Sequence, residues 1–214
     1  MGRALVFIVF FLFQFHSELY SQQAFEKEIL QFEKKDKDHP PEPGGVLFTG
    51  SSSIRIWKTL AEDFVGKKVI NRGFGGSQFS DLIHFYDRVI IPYNPSKILI
   101  YEGDNDIASG KTPDRVLNDF MRLVDKLQKD LPNCEIAFIS IKPSPLRWNV
   151  SGEMKTANEL IKSYCSSNQL TYIDVFNPML RNGRPIPEFY LADSLHMTAA
   201  GYKVWVEKVR PFVE

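Results

Sequence analysis

The sequence predicts a single α/β domain in which a parallel five-stranded sheet lies between two layers of helices. Three observations carry this. Short apolar runs of strand length alternate with helical patterns, as in strands joined by crossover helices. Most of these runs are apolar at consecutive positions, as strands covered on both faces must be. The chain has 214 residues, the size of one domain, and such a length buries a full core without disulfides or metals.

The elements follow in order. Met1-Gly2-Arg3 supplies a short positive start, and Ala4 to Phe15 is apolar apart from Gln14. That run is shorter than the roughly 20 residues a spanning helix needs, and it suits the apolar region of a secretory signal. Residues 1–21 are therefore expected to be a signal peptide cut after Ser21. The mature protein would be secreted or periplasmic, with no stable membrane span. Residues 22–44 read as an N-terminal helix and linker. Phe25, Ile29 and Phe32 recur at helical spacing, and the charged run from Glu33 with Pro40, Pro41 and Pro43 ends the helix near residue 35.

From residue 45 to 214 a strand–helix alternation runs to the C-terminus. Strands are expected at Val46-Leu-Phe-Thr49, Val69-Ile70, 97–101, 135–141 and 170–175. Helices are expected at 54–64, 77–91, 113–131, 152–166 and 198–210, with Thr198 as a cap and Pro211 just past the end. The predicted architecture is a flavodoxin-like three-layer α/β/α sandwich with strand order 2-1-3-4-5.

Charge excludes one class of partner. Lys plus Arg (26) balances Asp plus Glu (26) and no long basic run occurs, so nucleic-acid binding is not expected. A zinc signature such as His-Glu-x-x-His is missing, and neither metal nor cofactor is expected.

Ligands of open α/β sheets bind beyond the carboxyl ends of the strands, which directs attention to four loops. They are Gly50-Ser51-Ser52-Ser53 after strand one, Asn71-Arg-Gly-Phe-Gly-Gly-Ser77 after strand two, Glu102-Gly-Asp-Asn-Asp106 after strand three, and Asp193-Ser-Leu-His196 before the last helix. The glycine-rich loop is not a dinucleotide fingerprint, because its third glycine would fall at Gln78 and it does not follow the first strand. Among four histidines only His196 sits at the carboxyl end of the sheet. Asp193, three residues earlier, is placed to hold its imidazole tautomer.

These four blocks, in this order, resemble the SGNH (GDSL-like) lipase/acylhydrolase family over essentially the whole mature chain. The resemblance implies a serine esterase with Ser52 as nucleophile, Asp193 and His196 completing the triad, and an oxyanion hole from the N–H groups of Ser52 and Gly76 and the amide of Asn105. No cofactor is implied. The chain departs from the family where Ser51 replaces the name-giving Asp, and three consecutive serines leave Ser51 and Ser53 as rival nucleophiles. The resemblance further implies a small-molecule or glycan ester substrate, with short acyl groups favoured because no segment is spare for a lid. A lysophospholipase or platelet-activating-factor-acetylhydrolase type is the alternative among enzymes. A carbohydrate-binding protein that has lost catalysis, motivated by Ser51, is the alternative outside them.

Two further expectations concern single residues. After strand four, Trp148 is suited to stack on a sugar and Arg147 to bind a carboxylate or phosphate, although a packed Trp with a capping Arg suits the sequence equally. Cys134 and Cys165 lie at the amino end of the sheet, where export would let them form a disulfide.

Overall fold

The computed structural model describes residues 25–214; the expected signal peptide, residues 1–21, lies outside the described residues. The chain divides into two compact units between Pro40 and Pro41. In the first, helix α1 covers residues 25–38, and the His39 N–H reaches the Lys35 carbonyl at 2.8 Å. The charged run does not end this helix near residue 35 as expected. Solvated Glu and Lys cost a helix little, whereas proline removes a donor and clashes with the preceding turn. The helix stops at the prolines.

The second unit contains the sheet. Strands β1 (Val46–Gly50), β2 (Val69–Gly73), β3 (Lys97–Tyr101), β4 (Glu135–Ile139) and β5 (Thr171–Ile173) are all parallel, in the order β2-β1-β3-β4-β5. Every residue of β1 is buried, as its place between β2 and β3 requires.

The period of two along each strand divides the core. One face carries Phe48, Leu99, Tyr101 and Ile139, which belong to the same cluster as Ile54 of α2 (Ser52–Arg55), Leu60 of α3 (Leu60–Asp63) and Trp205 of α9 (Ala199–Val213). On the other face Phe138 packs at 5.1 Å from Phe120 of α7 (Pro113–Asp130) and at 6.4 Å from Phe79 of α4 (Phe79–His84). Helices α5 (Tyr86–Val89), α6 (Asp104–Ala108) and α8 (Ser151–Ser167) complete the layers.

Several boundaries differ from expectation. The helix expected at 54–64 is split into α2 and α3, and between them Trp57 enters the core, donating its indole N–H to Asp63 at 2.7 Å. The helix expected at 77–91 breaks at Phe85 into α4 and α5, followed by a short 3₁₀ turn at Ile91–Tyr93. The loop expected after strand three turns directly into a short helix, α6, at Asp104. Helix α9 continues through Pro211 to Val213.

A two-stranded hairpin follows β5: β6 (Leu180–Arg181) and β7 (Arg184–Pro185), turning at Asn182 and Gly183, both with positive φ. Asn-Gly is a strong hairpin signal, but two-residue strands carry no periodicity to accompany it.

Cys134 and Cys165 are free thiols, contrary to the disulfide expectation. Both lie toward the amino end of the sheet, as predicted, but on different sides of β4. Cys134 lines a depression with Gly44, Asn94 and Ser96, toward β1 and β3. Cys165 lies on α8, where its carbonyl accepts the Leu170 N–H at 2.9 Å and its thiol influences Tyr172 of β5. Burial pushes both thiols up to about 12.

Among the described residues no helix is long and apolar enough to cross a membrane. Among them, likewise, no group of three or more His, Cys, Asp or Glu side chains is placed to hold a metal ion.

Candidate active site

Three strands end level at one pole of the sheet. Gly50 is in register with Gly73 of β2 and Tyr101 of β3, so the loops leaving β1, β2 and β3 begin side by side. Gly50 has φ +121°, and a Cβ there would lie 2.0 Å from the Tyr101 carbonyl oxygen. Only glycine fits this close approach. The Ser51 N–H then donates to the Tyr101 carbonyl at 3.0 Å and the Phe74 N–H to the Gly50 carbonyl at 2.9 Å, which ties the three loops together.

The chain turns at Ser51 into α2 and presents three serines in three directions. Ser52 Oγ lies 3.0 Å from His196 Nε2. Ser51 is buried, and its Oγ accepts from Asn105 Nδ2 at 2.6 Å. Ser53 is buried, and its carbonyl accepts the Tyr202 hydroxyl at 2.8 Å. Ser52 is thus the serine in contact with the histidine.

His196 is held from behind by Asp193. Its Nδ1 lies 2.6 Å from Asp193 Oδ2, while Asp193 Oδ1 accepts the N–H groups of Leu195 and His196, each at 2.9 Å. The hydrogen bond from His196, aided by those two N–H groups, holds the Asp193 carboxyl down to about 2. The turn closes through Ser194, at φ +58°, and is pinned by the Leu191 N–H on the His196 carbonyl at 2.7 Å. The Ser194 carbonyl accepts the Leu146 N–H at 3.0 Å, linking this turn to the loop after β4.

Asn105 sits at the start of α6, directly after Gly103 at φ +100° and Asp104. Its amide nitrogen donates to Ser51 Oγ and to the Ser77 carbonyl at 2.9 Å, so it lies between the Ser52 loop and the Gly76 loop. Gly76 has φ +86° and open space where a side chain would project. Among the described residues, the backbone N–H groups of Ser52 and Gly76 have no acceptor. Both amide hydrogens of Asn105 are engaged in this state, so an oxyanion at Ser52 would share or displace the Ser51 acceptor.

Arg147 is not an open anion site. Its guanidinium donates to Asn105 Oδ1 at 2.8 Å and to Asp104 Oδ1. Asp104 also accepts from Lys142 at 3.1 Å and from the Tyr101 hydroxyl at 2.8 Å. Burial acts to raise the Asp104 carboxyl, but Lys142 and Arg147 outweigh it, and its pKa falls below the ordinary carboxylate value. Trp148, next in the chain, is half-buried, with Lys155 at 5.6 Å and Arg184 at 5.5 Å over its ring. Both cations lie within about 6 Å of the ring face, the distance of a cation–π contact.

One residue of the site went unassigned in the sequence. Glu102, the residue after β3, is fully buried, with Oε1 2.6 Å from Ser77 Oγ and Oε2 without a partner. Desolvation, and next to it the charge of Asp106, raises its carboxyl well above the ordinary range. The strand's apolar run, ending in a glutamate that faces the core side of a catalytic loop, was the available signal.

Residues 45–204 match the model of the GDSL-like Lipase/Acylhydrolase family. The chain belongs to that family. Its fold is the SGNH hydrolase fold, and solved structures share it at low identity. A GDSL-like lipase from Bacteroides thetaiotaomicron superposes with a TM-score of 0.74 at 17% identity, covering 86% of this chain and 96% of its own. A Streptococcus pneumonia protein provisionally described as a platelet activating factor gives 0.80 at 21%, covering 96% and 99%. A catalytic mutant of an acetylxylan esterase from Geobacillus stearothermophilus gives 0.63 at 15%, covering 79% and 94%. No curated protein matches the sequence. In this GDSL-like chain, Ser51 stands where the family's name has Asp, and it is Ser51 that accepts from Asn105.

Proposed function

We propose that the protein is an exported serine esterase that removes a short acyl group, an acetyl in the first instance, from a glycan ester. The observation that carries this reading is the unbroken hydrogen-bonded series Ser52–His196–Asp193, with separations of 3.0 and 2.6 Å. Ser52 attacks the ester carbonyl while His196 takes its proton, and the ionised Asp193 holds the imidazole in the required tautomer. The N–H groups of Ser52 and Gly76 and the Asn105 amide accept the charge that develops on the carbonyl oxygen. The alkoxide leaves with the proton from His196, and water repeats the sequence on the acyl-serine.

The choice of acyl chain and carrier rests on openness. The side chains of Asp193 and His196 are 47% and 27% exposed, which leaves the triad reachable by an ester on a bulky chain. A long lipid acyl group needs a deep apolar pocket to bury it. The same fold carries an acetylxylan esterase.

The test compares p-nitrophenyl acetate, butyrate and palmitate with acetylated xylo-oligosaccharides and a lysophospholipid. Acetate release should dominate, and an organophosphonate should label Ser52 and stop it. Preference for palmitate or the lysophospholipid would replace this substrate class; no labelling and no hydrolysis would leave the non-catalytic reading.

A further inference from the structure

A carboxamide has two ends of nearly equal size, and only one of them stabilises an oxyanion. Something must therefore hold Asn105 with its nitrogen, not its oxygen, toward Ser52. The Ser51 hydroxyl cannot do this, because a hydroxyl both donates and accepts. The Ser77 carbonyl accepts only and favours the same orientation from the nitrogen side, but it competes with the oxyanion for the amide hydrogens.

On the far side of the amide, Arg147 meets the Asn105 oxygen at 2.8 Å. A guanidinium only donates, so the flipped amide would place N–H against N–H. Arg147 is itself braced. Its other terminal nitrogen pairs with Asp104, whose carboxylate is fixed by Lys142 and Tyr101, both buried. Its backbone N–H reaches Ser144 Oγ at 3.3 Å, and its neighbour Leu146 is bonded to Ser194 within the Asp193–His196 turn.

We propose that Arg147 is a positioning residue that locks the orientation of Asn105 and polarises its amide, so that the nitrogen is a stronger donor toward the oxyanion. This rests on reading Asn105 as an oxyanion donor. The charge on Arg147 draws electron density toward the amide oxygen, and hydrogen bonds in series strengthen one another in a site of low dielectric. The effect is felt when negative charge forms and scarcely before, so it belongs to turnover rather than to substrate affinity.

The experiment measures kcat and KM on p-nitrophenyl acetate, a neutral substrate, for Asn105→Ala, Arg147→Ala, Arg147→Lys and the double variant Asn105→Ala/Arg147→Ala. Arg147→Ala should lower kcat about 10- to 100-fold with KM within about twofold. Added guanidinium at sub-denaturing concentration should restore part of the loss. Should Arg147→Ala fail to fold, Arg147→Lys keeps the ion pair with Asp104, yet one ammonium cannot span both oxygens, and kcat should still fall. In the Asn105→Ala background the Arg147 substitution should change kcat less than about twofold. A full further loss in that background overturns the proposal while leaving the oxyanion reading intact. So does an Arg147 variant with unchanged kcat on the neutral ester. An unchanged kcat for Asn105→Ala alone removes the oxyanion reading and the proposal with it.

Discussion

Glu102 Oε1 lies 2.6 Å from Ser77 Oγ, in a place where Glu102 has no solvent exposure and its second oxygen no partner. The groups facing it are carboxylates for the most part: Asp106 on α6 and Asp81 on α4, with Lys111 the only cation among the causes of its shift. Asp106 and Asp81 are themselves raised by desolvation. A group whose folded pKa exceeds its unfolded one binds more protons when folded, so its contribution is fully present below the unfolded value and is lost as pH rises toward the folded one. Glu102→Gln remains neutral throughout. Its melting temperature should therefore gain on the wild type as pH rises from about 5 to about 8. A difference that stays constant across that range would show Glu102 ionised in the native state.

The three serines separate by substitution. Ser52→Ala should abolish ester hydrolysis with the fold retained, because among the described residues Ser52 is the hydroxyl that meets His196 Nε2. Ser53→Ala should retain activity, since Ser53 holds Tyr202 through its backbone carbonyl, which alanine keeps. Circular dichroism and p-nitrophenyl acetate turnover on both variants check this, and an inactive Ser53→Ala with an active Ser52→Ala would reverse the assignment.

Gly50 should tolerate no side chain. A Cβ at 2.0 Å from the Tyr101 carbonyl meets backbone, not a side chain that can turn aside. Gly50→Ala should cost at least about 3 kcal/mol, from strain at positive φ together with displacement of β3. Urea unfolding measures it; a midpoint close to wild type would mean that β1 and β3 separate easily.

Reductant should leave stability alone. With Cys134 and Cys165 as free thiols, melting temperatures with and without dithiothreitol should agree within about 1 °C, whereas removing a native disulfide typically costs about 2–5 kcal/mol. A clear fall in reductant would restore the bridge that the sequence suggested.

Local chemistry was legible. Apolar runs of strand length marked the five strands, and glycines with polar residues after them marked the loops, because parallel strands must be covered on both faces and only their ends are free for polar work. His196 and Asp193 stood out because three residues of spacing suffice to set one behind the other. What short-range pattern could not carry was whichever partner arrives from a distant segment.

That division runs through single residues. The sequence by itself determined the five strands, the four loops, and Ser52, Asp193 and His196 as the groups to watch. Tertiary structure alone decided that Arg147 pairs with Asp104 and Asn105, since 43 and 42 residues separate these partners. It decided too that Glu102 is buried against Ser77, and that Cys134 and Cys165 lie on different sides of β4. The physical reason is one of range. Periodicity and turn chemistry report on contacts a few residues apart, whereas a guanidinium, a buried carboxyl or a thiol takes its role from whatever the packed sheet and helices bring beside it.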